Sequence, residues 1–143
     1  MRFLLLMLSL TWFTGCANNW YTGDWTVTDV EFPAVSALSY EDAQAWFGSK
    51  AKVSKSVFLF RDSRCDSPQF EHESLTESEF YRAYRASYAQ LGIAGDSVEV
   101  IRVTCSEASV FAGNTLIQVN EDVLYIPWDG AFFRLERGVS SPE

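Results

Sequence analysis

Between residues 97 and 137 the sequence is a series of short β-forming runs divided by turn chemistry, and this restricts the chain to folds built on an antiparallel sheet. Residues 97–105 are rich in valine and isoleucine, which suit a pleated, half-buried surface. Within them Val100-Ile101 interrupts the alternation and predicts a bulge. Residues 115–119 and 123–128 follow, separated by Asn120-Glu121-Asp122. Asp129-Gly130 then joins Trp128 to Ala131-Phe132-Phe133. Asp-Gly between apolar runs marks a hairpin, because both residues accept the positive φ of a two-residue turn. Beyond it Phe133 and Leu135 face one way, Arg134 and Glu136 the other.

Earlier segments fit the same plan. Residues 21–32 read as a first strand that Pro33 ends. Residues 51–61 read as another, with room for a bend at Ser54 and Ser56. Its Val57-Phe58-Leu59-Phe60 stretch is apolar on both faces, so it is expected to be covered on both. After a turn at 61–64, residues 65–71 form a short strand that Pro68 confines to an edge. Two helices interrupt. Ser39 caps a short one that carries Ala43, Trp46 and Phe47 on one face. Thr76 and Glu79 form a capping box for the second. There Phe80, Tyr84, Tyr88 and Leu91 make one stripe, predicting a helix of about four turns that stops at Gly92. The expected architecture is mainly β (α+β): a closed or nearly closed antiparallel barrel of seven to eight strands. Closure removes exposed edges. One short and one longer inserted helix complete it.

The chain begins with Arg2, an apolar run over 3–13, and then Phe13-Thr14-Gly15-Cys16. A basic start, a short apolar core and small residues at a cut site are the layout of an export signal. The run is too short to span a bilayer, which takes about 20 residues. Small residues directly before a cysteine resemble the lipobox of bacterial lipoproteins, with Phe13 where leucine is usual. The resemblance implies a signal peptide over 1–15 and lipid on Cys16 as the first mature residue. Ala17, in place of aspartate, implies anchoring at the outer membrane, facing the periplasm. Residues 16–19 are then the tether, 20–137 a single domain and 138–143 a polar tail. A plain secretory signal cut near Cys16 is the alternative. With Cys16 lipidated, Cys65 and Cys105 remain, and in an oxidising envelope they are expected to bond. Two free thiols or a metal site are the other readings, but one remote histidine makes a poor zinc site.

Gly23-Asp24-Trp25 on the first strand, with Arg134 or Arg137 on the last, resembles the calycin group of lipocalins, fatty-acid-binding proteins and avidins. The resemblance implies that Gly23 and Trp25 close the barrel floor and that a late arginine packs on the indole. A helix placed over 76–91 departs from the lipocalin pattern.

The formal net charge is −8, and no basic run is present. An acidic chain is repelled by nucleic acid, so that partner is excluded. The sole histidine, His72, lies in Glu71-His72-Glu73, with Glu77 and Glu79 beyond. In an extended segment it points away from its neighbours, which speaks against a metal site. No catalytic triad order, phosphate loop or zinc spacing occurs. The expectation is a non-enzymatic, cofactor-free and metal-free binding or interaction protein of the envelope, attached to the membrane by lipid. Eleven Phe and five Trp can line a cup for a small apolar ligand or fill it. The alternative is an inhibitor or immunity protein whose acidic surface meets a basic envelope hydrolase.

Overall fold

The computed structural model describes residues 19–106 and 111–138. The leader, Cys16 and the tail beyond Gly138 lie outside the described residues. In chain order the elements are β1 (Gly23–Glu31), α1 (Tyr40–Gln44), β2 (Lys50–Val53), β3 (Val57–Phe60), β4 (Ser63–Asp66) and β5 (Gln69–Thr76). Then come α2 (Glu77–Tyr84), α3 (Tyr88–Leu91), β6 (Ser97–Thr104), β7 (Thr115–Gln118), β8 (Val123–Trp128) and β9 (Ala131–Arg137).

The strands form one antiparallel sheet of nine, in the order β4-β3-β2-β1-β9-β8-β7-β6-β5. It curls into a half-barrel that is open, not the closed barrel of seven to eight strands the sequence predicts, because β4 and β5 are both edges. The registers explain the count. Followed round the sheet, β4 and β5 run in the same direction, so they are successive stretches of one path. Between them Ser67 takes φ of 52°, and Pro68 has no N–H to give a ladder. The first stretch therefore pairs with β3 and the second with β6. The expected strand over 51–61 is likewise cut in two. Ser54 Oγ accepts from the Val57 N–H at 3.1 Å and donates to its carbonyl, turning the chain at 54–56.

No bulge sits at Val100-Ile101, whose register against Glu73 and His72 is unbroken. The alternation looked interrupted because both faces of β6 are covered. Val98 and Val100 pack under the helices, while Ile101 and Val103 face the inside of the curl. The irregularity lies in β1, between Val27 and Asp29. The extra residue, Thr28, resets the pleat so that Trp25, Val27 and Val30 all face inward.

The long helix expected from Thr76 is two short ones. Arg85 takes φ of 58° and closes α2. Ser87 then starts α3 with its own capping box to Gln90. Phe80, Tyr88 and Leu91 still reach one cluster with Leu75, Val100, Ile117 and Phe132 on the outer face of the sheet, and the Tyr88 hydroxyl donates to the Leu75 carbonyl. Burial holds the Tyr88 hydroxyl above the usual phenol range.

The inside of the curl is filled. Trp25, Phe58, Phe60, Phe133, Leu124, Ile126 and Leu135 are each under 2 % exposed. Val57 and Leu59, expected to be covered, are half-buried, so β3 is covered fully on its inner side alone. Trp46 stacks on Phe133 with ring centroids 4.3 Å apart and planes within 8°. Phe133→Ala is expected to lose about 3–5 kcal/mol, the range for a fully buried phenylalanine, with an altered near-ultraviolet signal from Trp46. A denaturant titration that moves by less than about 1 kcal/mol would mean the site can collapse onto the gap.

Candidate functional site

The two ends of the half-barrel differ in kind. At one end lie Gly23, Arg137 and the 120–122 turn; at the other lie the Arg61-Asp62 and Asp129-Gly130 turns. The nine residues of β1 run about 30 Å from Gly23 towards the Asp129-Gly130 turn at 3.3–3.4 Å per residue, while Arg61 stands three residues beyond Phe58, which is level with Gly23 through Val53.

At the first end the alternation of β9 decides which arginine meets Trp25. Phe133, Leu135 and Arg137 share the inner side, and the Arg137 guanidinium carbon sits 4.1 Å over the Trp25 ring centroid. Arg134 is on the opposite side, bound to Glu136 at 2.9 Å, and takes no part. Arg137 also donates to the carbonyls of Trp20, Thr22 and Glu121. The indole N–H of Trp25 donates to the Tyr21 carbonyl at 2.9 Å. Gly23 has φ of 128°, and a Cβ there would meet the Arg137 guanidinium at 2.6 Å, so only glycine fits. This is a clasp that binds the entering chain to the first and last strands.

Cys65 and Cys105 form a disulfide with Cα atoms 5.7 Å apart. Cys65 lies on β4 and Cys105 follows β6, so the bond crosses the open side of the curl. His72 is exposed and packs edge-on to Tyr21, with centroids 5.5 Å apart. Glu73 is engaged by Arg102 at 3.1 Å. Glu79 caps α2, and the Thr76 hydroxyl it accepts from holds its carboxyl below the usual range. Among the described residues no three His, Cys, Asp or Glu side chains gather as metal ligands do.

At the other end aromatic and charged residues gather that the sequence places separately, Trp46 on a helix face and Arg61 to Ser63 in a turn, without joining them. A cleft of about 340 Å³ is lined by Trp46, Arg61, Asp62, Ser63, Phe111, Ala112 and Trp128. The Arg61 guanidinium carbon lies 3.9 Å over the Trp46 ring. Phe133 occupies the other face of that ring, so Trp46 is held between them. Arg61 takes φ of 50°, a conformation uncommon for a long side chain, and it projects the guanidinium from the β3–β4 turn. Neither Arg61 nor Asp62 has an ion pair among the described residues. The half-buried Trp128 side chain makes no hydrogen bond or ring contact among them. Gly113 lets the adjacent chain lie on the core: a Cβ there would meet the Phe58 ring at 2.4 Å. The signal available in the sequence was a tryptophan bordering each of two turns, without the topology that unites them.

Compared with protein-family models, with curated proteins and with solved structures, the chain matches none.

Proposed function

We propose that this is a non-catalytic binding protein of the cell envelope, held at the outer membrane by lipid on Cys16 and working through the Trp46–Trp128 cleft. The observation supporting it is the contrast between the filled interior and that cleft. Trp25, Phe58, Phe60 and Phe133 occupy the space a small apolar ligand needs inside the curl, and outside it half-buried aromatics gather with Arg61 and Asp62, which have no ion pair among the described residues. Pockets of this size with a few convergent polar groups are the usual form of a binding site.

In cells fed labelled palmitate, the wild-type chain is expected to carry label and to fractionate with the outer membrane, and Cys16→Ala to lose both. Unlabelled, soluble wild-type protein defeats the anchoring half. For the binding half, the full chain in detergent is titrated with an envelope digest while the Trp128 indole N–H signal is followed by NMR. A shift is expected, and its absence removes the cleft from the account. The second reading, an inhibitor of a basic envelope hydrolase, draws on the net charge of −8. It requires capture of such an enzyme that weakens as salt is raised.

A further inference from the structure

We infer that the cleft takes a neutral oligosaccharide. The inference rests on the binding role above and adds the chemical class of the ligand. The lining supplies one donor-only group, Arg61, one acceptor-only group, Asp62, and one hydroxyl that does both, Ser63. They are consecutive, spanning the β3–β4 turn and the first residue of β4. A purely apolar ligand would strip water from Arg61 and Asp62 and leave both unsatisfied. An anion would meet the Asp62 carboxylate within a chain of net charge −8. A cation would meet Arg61. A ligand with no net charge that offers donors and acceptors side by side satisfies all three groups, and adjacent sugar hydroxyls do this.

The apolar side of the cleft fits the same ligand. A pyranose ring has a face of C–H groups that lies flat on an indole. Both faces of Trp46 are occupied, by Phe133 and Arg61, so Trp128 is the platform and Trp46 with Phe111 forms the wall. The site is set before the ligand arrives. Arg61 is fixed by its left-handed backbone and by its seat on Trp46, and Trp46 is fixed by the fully buried Phe133. Groups held in place in advance lose less entropy on binding.

The test uses the full chain in a detergent without a sugar headgroup, following the indole N–H signals by NMR. The Trp128 signal is assigned by its loss in Trp128→Phe. Probes are maltotriose and tri-N-acetylchitotriose, both neutral, and trigalacturonate, which is acidic. At least one neutral trisaccharide is expected to shift the Trp128 signal. Trp128→Ala, followed on a remaining indole, and Arg61→Gln are each expected to weaken its binding by about tenfold, the scale of one stacking or charged contact. Both variants are accepted only with an unchanged melting curve, since Arg61 is exposed but Trp128 is half-buried against the core. No shift from either neutral sugar at about 10 mM, a range that reaches millimolar affinity, overturns the proposal. So does tighter binding of trigalacturonate, or variants that bind like the wild type. If the neutral sugars fail but an envelope digest still shifts Trp128, the ligand class is wrong and the binding role survives. If neither moves it, both fall.

Discussion

Replacing Cys65 and Cys105 together with alanine is expected to cost about 4 kcal/mol of stability and to lower the thermal midpoint by about 15 °C. The magnitude follows from the 40-residue separation of the bonded pair through the loop-closure entropy of the unfolded chain, converted for a domain of this size. The position of the bond adds a second reason. It ties edge strand β4 to the residue after β6, across a seam where β4 and β5 form no ladder with each other. Cys65 is 1 % exposed and Cys105 8 %, so reductant should act slowly on the folded protein and quickly once denaturant is added. The double substitution avoids leaving a lone thiol. A loss below about 1 kcal/mol would mean that side-chain packing alone holds the seam, because the entropic term predicts several times more.

The second large effect is expected at Arg137. Arg137→Met keeps most of the aliphatic stem and removes the guanidinium, so the carbonyls of Trp20, Thr22 and Glu121 lose a donor and the Trp25 ring loses its cation. Hydrogen bonds to charged groups contribute about 1.5–3 kcal/mol each, and a cation over an indole about 0.5–2. The Arg137 side chain is 32 % exposed, so water replaces part of this. We expect a net loss of about 3 kcal/mol after that discount. Arg137→Lys should recover less than half of it, since one ammonium cannot meet three carbonyls in a fork. Hydrogen exchange gives the local reading. The amides of Thr22 and Trp25 should exchange faster, while those of β6 change only with global stability. Uniform acceleration across the sheet would remove the clasp as a local device.

These contacts also show which parts of the molecule the sequence makes legible. Strands β6, β8 and β9 and the turn at Asp129-Gly130 could be read directly, because runs of β-forming residues and turn residues are local properties. So could both caps of the helical region. The break at Arg85 could not, since the Phe80, Tyr84, Tyr88 and Leu91 spacing is the same whether one helix or two present those residues. The capping box at Ser87 and Gln90 is the local signal that divides them. The choice between Arg134 and Arg137 needed the register of β9, which sends alternate residues to opposite faces. An open curl and a closed one share the same strand pattern, and they differ here at Ser67-Pro68. The cleft was hidden for a different reason. Its residues come from four separate stretches, at 46, 61–63, 111–112 and 128, and no spacing rule links them.

The middle of the sheet is built from the first strand and the last: Trp25 sits opposite Arg137, and Glu31 opposite Phe132. A pairing this distant along the chain closes a large loop before it returns any favourable contact, and chains dominated by such pairings fold slowly. Until residues 131–137 have been synthesised, β1 and β8 each have a naked side and Trp25 has no guanidinium above it. The order of assembly is therefore dictated by the carboxyl-terminal strand, and a polypeptide stopped short of Ala131 has two incomplete half-sheets and no centre to join them.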